Sequence, residues 1–191
     1  MNKRKNTLIA LLGLSAFIYC CSPKVIKTNA PKQDYDVAAF YWPAYHYEPK
    51  AEFLFPDKKG EWEIIYKSTP KEPGHAQPKV PMWGYLDEAN PKDMDKKITA
   101  AVAHGVNTFI FDWYWYNEGP FLENCINNGF LKANKGRMNF YLMWANHDAT
   151  TYWAKDNPRK DSVIWKGAVD RKQFDIVVDR VISKYFKDPS Y

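Results

Sequence analysis

Three short stretches concentrate the residues able to do chemistry. Tyr41, Trp42, Tyr45 and His46 form the first, Asp112, Trp113, Tyr114, Trp115 and Tyr116 the second, and Trp144, Asn146, His147 and Asp148 the third. Each sets flat rings beside carboxylate, amide or imidazole groups. That combination holds a flat, amphipathic ligand by stacking on its apolar face and hydrogen-bonding to its edge. Eight Trp, thirteen Tyr and eleven Phe make the 191-residue chain 17% aromatic, more than packing a core of this size requires. Tyr41, Trp113, Trp115 and Trp144 are the expected platforms, with His46, Asp112, Asn146, His147 and Asp148 as polar contacts. Core packing competes for every tryptophan, because alternate residues along 111–116 point in opposite directions if the strand continues through them.

Asp112 and Asp148 are the best-placed carboxylates, since each ends a predicted strand in apolar company. They either bind ligand hydroxyls or satisfy loop backbone and a lysine. His46, His147, Asp112 and Asp148 are the set able to surround a metal, but HExxH, paired-cysteine spacing and an i, i+4 histidine pair are all missing. The sequence therefore predicts neither metal nor cofactor. A GxSxG nucleophile turn is likewise absent. His75 braces a Pro-rich loop over 73–81, and His104 suits a helix end.

The elements that must position these clusters alternate. Val37–Trp42, Gly105–Phe111 and Met138–Trp144 are short apolar runs rich in β-branched and aromatic residues, each suited to a strand buried on both faces. Asn90 caps and Pro91 opens a helix with Met94, Ile98 and Val102 on one face, and Gly105 supplies its exit. A weaker helix is predicted from about Pro120 to Lys132, interrupted by Asn127, Asn128 and Gly129. Phe174, Val177, Val178, Val181, Ile182 and Tyr185 follow a helical rhythm behind Asp170 and Gln173. Strands alternating with helices imply an α/β fold with a parallel sheet. Each strand runs into a polar and aromatic cluster at its C-terminal end, where a (β/α) barrel keeps its site, and no GxGxxG turn follows the first strand. The fold class expected is the N-terminal portion, about three βα units, of an incomplete (β/α)8 barrel.

The chain outside this domain reads differently. Lys3, Arg4 and Lys5 precede an apolar run from Thr7 to Tyr19, too short to span a bilayer, so residues 1–20 read as a lipoprotein signal peptide. Cys21 is the expected acylation site in preference to Cys20, residues 21–34 a polar tether, and 35–191 the folded domain. Removing the three basic residues takes away most of the net charge of +5, which removes the electrostatic case for a nucleic acid partner. Cys125 stands alone in the domain and reads as a small buried hydrophobe.

The blocks FYWPAYH (40–46), PGHAQPKVPMWGYLDE (73–88), FIFDWYWY (109–116), MWANHD (143–148) and KYFKDPSY (184–191) together resemble the glycoside hydrolase family 99-like proteins, also described as WbsX-type glycosyltransferases. The resemblance covers residues 35–191. It implies a (β/α)8 barrel whose open face handles an oligosaccharide or polysaccharide, α-mannosides in the characterised hydrolases, with a pair of catalytic glutamates on later strands. Those strands lie past the positions that this sequence matches, and a complete barrel takes ~250 residues. The expectation is therefore an N-terminal fragment without activity of its own, lipid-anchored in the cell envelope at the outer membrane, with the periplasmic face favoured over the cell surface. Its catalytic residues, its oligomeric state and the choice between hydrolase and transferase stay open. The alternative is a membrane-tethered glycan-binding lipoprotein that catalyses nothing.

Overall fold

The three apolar runs pair with one another side by side. The computed structural model describes residues 35–117, 119–151 and 162–191. The predicted signal peptide, the tether and Cys21 lie outside them. Strand β1 (Ala38–Tyr41), β2 (Thr108–Tyr116), β3 (Gly119–Phe121) and β4 (Asn139–Trp144) form one sheet. β1 and β4 flank β2 in parallel, with Phe40, Ile110 and Tyr141 in one row and Tyr41, Phe111 and Leu142 in the next. β3 folds back antiparallel on the end of β2, pairing Phe121 with Tyr114 and Gly119 with Tyr116.

The helices follow from their caps and stripes. α1 (Trp62–Tyr66) is a single turn within the long connection after β1. α2 (Pro91–Ala103) begins where the Asn90 side chain accepts the Lys92 N–H at 2.9 Å and where proline fixes the first turn. A π-helical segment, Cys125–Phe130, leads directly into α3 (Leu131–Asn134). α4 (Arg171–Lys184) starts at Asp170, whose carboxylate accepts the Gln173 N–H at 2.7 Å. A short antiparallel pair, β5 (Ala149–Thr150) and β6 (Val163–Trp165), brings Trp165 over the strand ends.

Two sequence expectations are corrected. The second strand does not stop at Phe111 but runs to Tyr116, because β3 supplies hydrogen-bonding partners for its extension. The middle helix does not begin at Pro120, which lies in β3; helical structure begins at Glu123 and passes into the π-helical segment at Cys125. Gly129, which reads as an interruption in the sequence, is a close approach. A Cβ there would lie 1.9 Å from the Glu88 carbonyl oxygen, so only glycine lets this segment pack against the loop before α2.

One face of the sheet is covered and the other is open. Phe109, Phe111 and Phe140 pack with Met94 and Ile98 of α2, with Ile126 and Phe130, and with Val177 of α4. Each such side chain contributes about 1.5–3 kcal/mol on full burial. On the opposite face, Phe40 is 72% exposed and Tyr141 42%, on either side of buried Ile110. Consecutive parallel strands with their helices on a single face are the singly wound arrangement of part of a (β/α) barrel, and the open face corresponds to its interior.

Candidate functional site

Because side chains alternate along β2, its extension sorts the second cluster by parity. Asp112, Tyr114 and Tyr116 point to the open face, while Trp113 and Trp115 point to the helices. Beyond the C-terminal end of β2 lies a cleft of about 250 Å³. Tyr114 and Tyr116 form its base, Trp42 and Trp165 flank it, and Glu61, His147 and Asp148 supply its polar groups.

The aromatic lining is continuous. Tyr114 and Tyr116 stack at 5.6 Å between ring centres, Tyr116 lies 5.7 Å from Trp165, and Trp42 meets Tyr114 edge-on at 5.6 Å. The His147 ring also meets Tyr114 edge-on, at 5.6 Å. Neither tyrosine hydroxyl has a hydrogen-bond partner among the described residues. Burial raises both phenols, with Asp112 adding to the effect at Tyr114 and Asp148 at Tyr116, the latter pushed up to about 12. Both hydroxyls therefore keep their protons at neutral pH and remain available as donors.

The carboxylates differ in their restraint. Glu61 Oε2 accepts the Trp42 indole N–H at 2.8 Å. Burial raises the Glu61 carboxyl, the Trp42 hydrogen bond opposes that, and Glu88 adds to the rise. Asp148 Oδ1 accepts the Gly167 N–H at 2.8 Å, which fixes the loop after β4 against β6. Asp112 stands one step before Tyr114 on the same face, with a buried Oδ1 that has no partner among the described residues. Burial raises its carboxyl and nearby His147 pulls it back. His147 Nδ1 lies 2.9 Å from the Asp148 carbonyl oxygen, which can only accept, so Nδ1 carries the proton of that contact.

The residues singled out in the sequence divide accordingly. His147 and Asp148 line the cleft, Asp112 lies on its face, and Asn146 is exposed in the adjoining loop. Four expected platforms are corrected, because parity places them on the helix side of the sheet. Trp113, 1% exposed, donates its indole N–H to Glu123 at 2.9 Å, and Glu123 in turn pairs with Arg180 of α4. Trp115, 4% exposed, donates to Gln173 at 3.0 Å. Trp144 stacks on Phe174 of α4 at 6.2 Å and helps to line a separate apolar cavity of about 240 Å³ against that helix. The Tyr41 hydroxyl donates to Glu88 at 2.8 Å and also takes part in a contact with Lys97, which ion-pairs with Glu88.

His46 is corrected as well. It is 1% exposed, neither ring nitrogen has a partner among the described residues, and burial lowers its imidazole to about 4. It is a neutral interior group and is not among the residues that line the cleft. No group of three or more His, Cys, Asp or Glu side chains comes together among the described residues as a metal shell would require. Among the described residues no helix is long and apolar enough to cross a membrane.

Glu61, Tyr114, Tyr116 and Trp165 were not singled out as contacts from the sequence. Asp112 carried the signal for two of them: if residue 112 faces the site, residues 114 and 116 do too and 113 and 115 do not. Nothing local marks Glu61 or Trp165, which reach the cleft through long-range packing.

The family model described as glycosyltransferase WbsX matches residues 37–191. A protein of Xanthomonas campestris pv. campestris strain B100, described as uncharacterized protein WxcX, is 26% identical over 156 residues, which is 81% of this chain and 22% of that protein. Its counterpart in strain ATCC 33913 matches to the same extent. The chain thus spans about a fifth of the length of the curated relatives it matches. Among solved structures, the family 99 endo-α-mannosidase of Bacteroides thetaiotaomicron superposes with a TM-score of 0.45 at 11% identity, covering 81% of this chain and 41% of that one.

Proposed function

The chain belongs to the glycosyltransferase WbsX family, and from that premise we propose that it is the glycan-handling portion of a carbohydrate-active protein. The observation that carries this reading is the cleft at the C-terminal end of β2, where aromatic rings and hydroxyl donors surround a space about the size of one sugar ring. Sugars present apolar C–H faces and rings of hydroxyls, and such a cleft answers both. The half-buried indole of Trp42 supplies the stacking surface. The Tyr114 and Tyr116 hydroxyls donate to ligand oxygens, while Glu61, Asp148 and His147 Nε2 accept from ligand hydroxyls. Asp112 acts beside His147, and Asn146 contacts the part of the ligand that leaves the cleft.

The ligand proposed is an oligosaccharide or polysaccharide, with α-mannosides as the first class to try. In this reading the chain by itself binds sugar and does not turn it over, because the glutamates implied by the family resemblance belong to later strands. Lipid attachment at Cys21 would hold it at a membrane in the cell envelope. The test is an oligosaccharide array probed with the purified chain. The reading expects retention on a defined set of neutral glycans that free sugar reverses, and an array with no reversible signal contradicts it.

A further inference from the structure

One carboxylate of the cleft has hydrogen-bonding capacity to spare. Glu61 is anchored by its backbone to the loop after β1. Its N–H donates to the Ala44 carbonyl at 3.1 Å, and the preceding Gly60 adopts a left-handed conformation, φ 58°, directly against the Ala44 and His46 carbonyls. The side chain is fixed as well, since Oε2 takes the Trp42 N–H. Oε1 has no hydrogen bond among the described residues. A carboxylate oxygen has two lone pairs to offer, so an immobilised one beside an indole face is a preorganised acceptor for hydroxyl groups.

Among the described residues the charges around it have one dominant sign. Glu61 and Asp148 line the cleft, Asp112 lies beside it, and no lysine or arginine lines it among the described residues. An anionic group entering there would meet carboxylates across a short distance in partly desolvated surroundings, where repulsion is stronger than in water. We propose that Glu61 determines the ligand class of the cleft, accepting hydroxyls of a neutral sugar laid against Trp42 and excluding sugars that carry a carboxylate. This deepens the glycan-cleft reading above and rests on it.

Calorimetric titration of the full chain with α-mannotriose and with trigalacturonic acid tests the assignment. The wild type should favour the neutral trisaccharide, and Glu61→Gln, which keeps an acceptor for Trp42 but removes the charge, should narrow that preference by about tenfold. A preference unchanged by Glu61→Gln in a variant with the wild-type unfolding midpoint overturns it. Should the variant unfold, the salt dependence of the wild type decides: screening should narrow the preference, and a salt-independent ratio overturns the proposal. If the wild type binds neither sugar, the cleft reading falls and takes this assignment with it. Binding of mannotriose that ignores the substitution removes only the role of Glu61.

Discussion

Trp113 and Tyr114 are consecutive on β2 and serve opposite sides of the sheet. Trp113 donates to Glu123 beneath α4, and Tyr114 lies in the cleft with its hydroxyl unpaired among the described residues. The consequences of substituting them should therefore separate. Tyr114→Phe should leave the unfolding midpoint nearly unchanged and weaken glycan binding about five- to tenfold, the worth of one hydrogen bond. Trp113→Ala should cost about 3–5 kcal/mol of stability, as large buried-to-alanine changes do. Denaturant unfolding and calorimetry on the same two variants check both statements.

That division also shows what the sequence made legible. β1, the start of β2, β4, α2 and α4 follow from apolar runs, helical stripes and caps, because local propensity and burial agree there. The end of β2 does not, since its partner β3 is a Gly-Pro-Phe segment with no strand signature. Without that extension, Asp112 and Trp113 both read as site residues, which strand alternation forbids. Glu61 and Trp165 were hidden for a different reason: they come from sequence-distant segments that only the folded chain brings to the strand ends.

Glu123 joins α4 to the strand side of the fold through Arg180, with contacts at 2.8 and 2.5 Å, while also holding Trp113. Burial alone would raise the Glu123 carboxyl, but the Arg180 guanidinium and the Trp113 indole hold it below its ordinary value. The stabilisation is therefore present above the unfolded-state pKa of about 4.3 and is lost as pH falls through the lower folded value. Arg180→Met, which strands a buried charge, should cost about 3 kcal/mol at neutral pH. Its deficit relative to wild type should shrink at pH values where Glu123 takes up a proton. Urea midpoints measured across this range test the sign.

His46 makes a second acid-sensitive contribution. With its folded value lowered to about 4 by burial, the unfolded chain binds a proton that the folded chain refuses once pH drops below about 6.5. Stability should decline from there toward pH 4 by about 3 kcal/mol from this residue alone. His46→Phe, similar in shape and without unsatisfied nitrogens, should flatten that limb of the stability profile. A profile of the variant that parallels wild type between pH 6.5 and 4 would refute the assignment.

Gly60 carries the placement of Glu61. A Cβ added there would lie 2.3 Å from the His46 carbonyl oxygen and 2.4 Å from that of Ala44, both backbone atoms, at a φ of 58° that side chains rarely adopt. Gly60→Ala should cost about 1–3 kcal/mol. It should also abolish the preference for neutral over acidic sugars while leaving the distant α4 contacts intact. Thermal unfolding and the two-sugar titration report these effects independently.

The most direct test of the cleft is to watch the indole N–H signals of the ¹⁵N-labelled chain during titration with an oligosaccharide that the array selects. Trp42, bonded to Glu61 at the cleft, and Trp165 beside Tyr116 should shift in proportion to occupancy, while Trp113 and Trp115, sealed against the helices, stay in place. Saturable shifts confined to Trp113, Trp115 or Trp144, with Trp42 and Trp165 unmoved, would contradict the account.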